Sequence, residues 1–103
     1  MPTLFIKETR NLKEKIVGLI GKNKPFNLLL RTRFGIHTFG LRFPIDVLIL
    51  DNKNKIVTLK KNLMPWRIFL WNPMYDKVLE LPYGTIAKKR IKINDEIFLR
   101  ESL

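Results

Sequence analysis

The sequence predicts a mainly β fold, on three observations. Val47-Leu-Ile-Leu50 is a short apolar run bounded by turn residues, and such side chains suit a pleated, buried surface. Asp51-Asn-Lys-Asn54 joins that run to Lys55-Ile-Val-Thr-Leu-Lys60, the strand, Asn-rich turn, strand pattern of a hairpin. Helical spacing is confined to one short stretch near the N-terminus and about one turn at residues 85–90.

Thr3-Leu-Phe-Ile-Lys7 alternates weakly and reads as a first strand. Leu12, Ile16, Leu19 and Ile20 recur at helical spacing, so a short helix is expected from Arg10 to Ile20, with Gly21 past its end. Phe26 to Arg31 is a buried-strand candidate after the turn Lys22-Asn-Lys-Pro25. Ile36 to Leu41 reads as extended, with His37, Phe39 and Leu41 on one side and Ile36, Thr38 and Gly40 on the other. Pro44 removes a ladder donor, so the chain bends or lies at an edge there. Ile45 to Leu50 is the central strand. Both of its faces are apolar, which predicts that both are covered.

The connection from Lys60 to Tyr75 holds both tryptophans and two prolines. It reads either as a lid or pocket wall, or as Trp66 and Trp71 plugging one end of the domain; a dimer surface is a further option. Asp76 to Pro82 is the next strand, followed by a turn at Tyr83-Gly84. Thr85 to Arg90 is a helical turn that Thr85 is expected to cap, and Glu96 to Arg100 is the last strand.

A chain of 103 residues with 46% hydrophobic content is expected to form a single domain, residues 1–103, with one core. It has no cysteine and one histidine, which excludes a disulfide framework and a thiolate zinc site. No run is long enough to span a membrane, and Met1 to Thr9 lacks a basic-then-apolar signal pattern, so a cytoplasmic location is expected. Twenty basic against nine acidic residues give a net charge of +11. That balance points to a polyanion partner or to compositional drift; the bases form no dedicated arm, so weak, salt-sensitive adsorption to nucleic acid is the expectation.

Asp46 shares a strand face with Leu48 and Leu50, so its carboxylate enters a dry layer and needs donors. Those donors are backbone N–H groups or a cation, and Arg42 and His37 are nearest in sequence. Glu80 faces away from Leu79 and Leu81 and is a second candidate acid. One reading gathers His37, Arg42, Asp46, Arg67 and Glu80 into a polar cluster walled by Phe39 and Trp66, fit for a small anionic ligand or a partner's carboxylate. The other makes Asp46 a turn cap and His37 a structural, partly buried residue.

The five glycines are scattered rather than gathered in a phosphate loop, and Ser102 is the lone serine. No metal or cofactor site is expected. The leading expectation is therefore a non-enzymatic binding or accessory module, with a nucleic-acid-associated basic module second. A small hydrolase or lyase pairing His37 with Asp46 or Glu80 is third.

The order of motifs carries a resemblance. His37-Thr-Phe-Gly-Leu-Arg42-Phe-Pro-Ile-Asp46-Val, then Met64-Pro-Trp66-Arg67, then Val78-Leu-Glu-Leu-Pro82-Tyr-Gly84-Thr85, then Ile93-Asn-Asp95-Glu-Ile97, together resemble the domain of unknown function 192 family, also called uncharacterised protein family 0127. The resemblance runs from Leu12 to Ile97. It implies a compact antiparallel β-sandwich or distorted barrel with short helices, and no established reaction. Two turns depart from the family pattern, with Asn54 and Asn94-Asp95 where relatives often carry Asp-Gly and Gly-Asp. Both keep a residue that tolerates a left-handed backbone.

Overall fold

A computed structural model describes the backbone of residues 3–8 and 27–101, and the side chains of residues 27–99. The strands are β1 (Thr3–Glu8), β2 (Leu28–Arg31), β3 (Ile36–His37), β4 (Ile45–Leu50), β5 (Ile56–Leu63), β6 (Ile68–Phe69), β7 (Lys77–Pro82) and β8 (Phe98–Glu101), with one helical turn, α1 (Thr85–Lys88), after β7. The helix expected from Arg10 to Ile20 lies outside the described residues.

Six strands form one sheet in the order β5-β4-β7-β2-β1-β8, and β3 pairs with β6 in a separate ribbon. The four strands from β5 to β2 are antiparallel, as expected. The outer two are not: β1 runs parallel to both β2 and β8. A parallel neighbour cannot be reached by a tight turn and needs a crossover, so short-range turn signals do not reveal it. Among the described residues the sheet edges approach at an antiparallel bridge, Lys55 with Glu96, and the sheet is not a closed barrel.

β4, expected to be central, stands next to the edge strand β5, yet each of its residues is buried, because both faces are covered. Side-chain alternation splits the core in two. Leu48 and Leu50 join Leu29, Leu79 and Leu81 on one face, covered by Ile86, Ile91 and Ile97. Ile45, Val47 and Ile49 join Leu28, Leu30 and Val78 on the other, covered by Ile36 of β3, with Phe69 of β6, Trp71 and Tyr75 packed alongside. Each such aliphatic side chain contributes roughly 2 kcal/mol when fully buried.

Turn chemistry follows the sequence. Asp51 accepts the backbone N–H groups of Lys53 (2.8 Å) and Lys55 (2.9 Å), and Asn54 sits at φ 63. The hydrogen bond from Lys55, followed by that from Lys53, helps hold the Asp51 carboxyl below its usual range. Asn94 likewise takes φ 77. The helical turn at 85–88 is present but capped differently. Its N-cap residue is Gly84 at φ 87, and Thr85 Oγ1 instead donates to the Pro82 carbonyl (2.6 Å).

Candidate functional site

The built surface of this molecule lies where the segment 36–41 meets the turn at 64–67. Thr38 is the joint. Its hydroxyl donates to the Met64 carbonyl (2.7 Å) and accepts the Arg67 N–H (2.9 Å), so one buried oxygen stands between the two ends of the Met64-Pro65-Trp66-Arg67 turn. Its backbone adds three more bonds: Thr38 N–H to Arg67 O (2.9 Å), Trp66 N–H to Thr38 O (3.2 Å) and Leu41 N–H to Thr38 O (3.1 Å).

This joint holds Trp66 in an unusual conformation. Pro65 followed by a positive-φ residue is the type II turn pattern, in which glycine normally takes the second place. Here Trp66 takes it, at φ 63, which costs about 1 kcal/mol or more for a residue with a side chain. The indole recovers little by burial, since it is 66% exposed.

The exposed indole stacks on Phe39 (centroids 5.7 Å apart, planes at 27°), and Phe39 stacks on His37 (4.9 Å, 24°). The three rings form a ledge. His37 Nδ1 accepts the Phe39 N–H (3.2 Å), which fixes the imidazole and leaves Nε2 as its other nitrogen. In β3, His37 pairs with Ile68, and both are exposed, while their neighbours Ile36 and Phe69 turn to the core. Arg67 is exposed beside the ledge, one guanidinium nitrogen 3.4 Å from the Trp66 carbonyl, and Arg42 is exposed two residues beyond Gly40.

The polar cluster expected around Asp46 is not assembled as one group. Asp46 is buried, as its strand face required, but its two oxygens accept backbone N–H groups: Asn62 on Oδ1 and Ile86 on Oδ2, both at 2.9 Å. Of the two donor types open from sequence, the backbone supplies these bonds. Asp46 thereby pins the irregular end of β5, where Asn62 sits at φ 55, and caps α1 from across the sheet.

Glu80 lies on the opposite face, directly across from Val47 and Leu28. Burial pushes its carboxyl up from the usual value to about 7. The β3–β6 ribbon covers that face and turns His37 outward, so His37 meets neither buried carboxylate and the acid–base pairing is not formed. The two tryptophans also divide. Trp66 belongs to the surface, whereas Trp71 packs on the core and donates from Nε1 to the Tyr75 carbonyl (2.8 Å). No grouping of three or more metal-binding side chains occurs among the described residues.

Residues 10–99 match the family model DUF192, described as "Uncharacterized ACR". The chain belongs to the DUF192 family. No curated protein matches it. Two solved structures are similar to this DUF192 chain. One is a protein of unknown function from Novosphingobium aromaticivorans, 16% identical, with a TM-score of 0.74 over 88% of this chain and 71% of that one. The other, from Sinorhizobium meliloti, is described as a "putative transcription regulator"; it is 18% identical, with a TM-score of 0.74 over 88% of this chain and 78% of that one. At these identities the likeness shows the fold alone.

Of the seven site residues picked out in the DUF192 sequence, His37, Phe39 and Trp66 come together, with Arg67 beside them. The residue that sequence did not single out is Thr38. Its one signal was position, on the same side as Ile36 in a segment expected to be extended to Leu41. The strand instead ends at His37 and the chain turns at Gly40 (φ 87), so Leu41 is buried while His37 and Phe39 are exposed.

Proposed function

We propose that this DUF192 chain is a non-enzymatic binding module whose contact surface is the ledge of His37, Phe39 and Trp66, with Arg42 and Arg67 as its charged border. One observation carries the reading: a tryptophan occupies a turn position that favours glycine, with most of its ring in solvent. Such a residue contributes little to the core, and strain of this kind gathers at functional sites. Stacked rings beside guanidinium groups suit a planar, negatively charged ligand. In this reading Asp46 and Glu80, buried on opposite faces of the sheet, do not touch the ligand.

The test is a nuclear magnetic resonance titration of the ¹⁵N-labelled protein with three probes: benzoate, adenosine monophosphate and inorganic phosphate. The two ring-bearing anions are expected to shift the amides of residues 37–39 and 64–67, and phosphate alone to leave them in place. Absence of ledge shifts with both ring-bearing probes, or shifts centred on another surface, overturns the reading.

A further inference from the structure

We infer that the ledge takes single-stranded nucleic acid, its bases stacking on Trp66, Phe39 and His37 and its phosphates passing over cations at the same end of the sheet. This rests on the proposed function and names its ligand class.

Charge placement makes the choice. Four described acidic residues are at least partly exposed: Asp51, Asp76, Asp95 and Glu96. All four lie at one end of the main sheet. Asp51 follows Leu50, Asp76 precedes Lys77, which pairs with Leu50, and Asp95 and Glu96 lie against Ile56 and Lys55. The ion pair of Arg31 with Asp76 (3.9 Å) is there too. The ledge is at the other end, where Ile45 pairs with Leu63 and Pro82, roughly five strand residues or 17 Å away.

Among the residues whose side chains are described, the acids at the ledge end are Asp46 and Glu80, and both are buried. The cations there are exposed. Arg67 borders the ledge, and Lys60 stands opposite Val47 on the sheet face that carries the β3–β6 ribbon. Among the residues whose side chains are described, no exposed acid therefore stands at the end of the sheet that carries the rings. A neutral aromatic ligand would use the rings and ignore the charge, and a duplex would use the charge and keep its bases stacked away from the rings. A single strand uses both, because every base has a face to stack and every linkage a phosphate.

The experiment measures fluorescence anisotropy of a labelled single strand of about twelve nucleotides, an abasic strand of equal length and a duplex, from about 50 to 200 mM salt. The full chain is compared with Trp66→Ala, Trp66→Phe, Lys60→Gln and Arg67→Gln, each checked for native amide spectra. Trp66→Ala is expected to weaken single-strand binding about tenfold or more with an unchanged salt slope, and Trp66→Phe to restore most of the loss. Lys60→Gln and Arg67→Gln are each expected to lower the slope by about one. The abasic strand is expected to bind wild type no better than the intact strand binds Trp66→Ala.

Equal binding of intact and abasic strands, or unchanged binding by Trp66→Ala, reduces the interaction to charge adsorption and overturns the inference. If benzoate and adenosine monophosphate shift the ledge amides while the strand ignores Trp66, the ligand class is wrong and the ledge stands. If neither engages the ledge, both readings fall.

Discussion

Glu80 and Asp46 are both carboxylates buried in one sheet, and opposite provisions keep them there. Asp46 is satisfied by two N–H groups, each at 2.9 Å. Asp46→Asn keeps one acceptor and turns an NH₂ group toward the other amide, so a loss of about 2 kcal/mol is expected in urea denaturation. Hydrogen exchange at Asn62 and Ile86 is expected to quicken in the same variant; unchanged exchange at both would show that the carboxylate holds neither element. Glu80 is governed by desolvation, and its folded value is raised from 4.5 to about 7. A raised carboxyl favours the protonated form in the fold. Its contribution is complete below the unfolded value and is lost as pH rises through about 7, a span worth about 3 kcal/mol. Urea midpoints are therefore expected to fall between about pH 5 and 8, and those of Glu80→Gln to stay level across the same window. A wild-type midpoint that is flat over that range would place the carboxylate in contact with water. Asp51, whose carboxyl is held low, acts with the opposite sign and only at more acid pH, outside that window.

At the scale of the element, the joint between segment 36–41 and the turn at 64–67 separates stability from binding. Thr38→Val keeps the shape of the side chain and removes its oxygen, leaving Met64 O and Arg67 N–H without their partner. A loss of about 2 kcal/mol is expected, together with loosening of the ledge and weaker ligand capture. Trp66→Gly behaves differently. Relief of the positive φ, about 1 kcal/mol, offsets the lost contact with Phe39, so the melting temperature is expected to hold while ring-bearing ligands are no longer captured. A large drop in melting temperature for Trp66→Gly would make Trp66 a structural residue and remove the reason for the ledge. This division also explains what the sequence disclosed of the site. Rings and charges are visible as residue types, so His37, Phe39, Trp66 and Arg67 stood out. That Asp46 would be met by Asn62 and Ile86 was not visible, because any residue but proline carries an N–H group.

Across the whole molecule, local patterns disclosed the antiparallel half of the sheet and not the parallel half. The β4–β5 hairpin is written in four consecutive residues, Asp51 to Asn54, and the burial of β4 in its apolar run. The placement of β1 between β2 and β8 is written nowhere locally, since it joins Thr3 to Phe98 and Lys7 to Leu28. Such pairings are long-range and entropically costly to form, so they depend on the rest of the sheet being in place. β1 also carries β8: the two pair through four registered positions, and among the described residues β8 has no other strand partner in the sheet order. The segment before β8 is tied to β5 by the Lys55–Glu96 bridge and its neighbouring bonds and by the burial of Ile97. Deleting residues 1–8 is therefore expected to strip hydrogen-exchange protection from the amides of Phe98 to Glu101 while β4 and β7, paired along their full lengths, retain theirs. The ledge is built by segment 36–41 and the turn at 64–67, neither of which pairs with β1, so capture of adenosine monophosphate should survive the deletion wherever the antiparallel strands do. Undiminished protection at Phe98 to Glu101 after the deletion would mean that β8 is held by something other than β1, and would break the parallel end of the sheet as drawn.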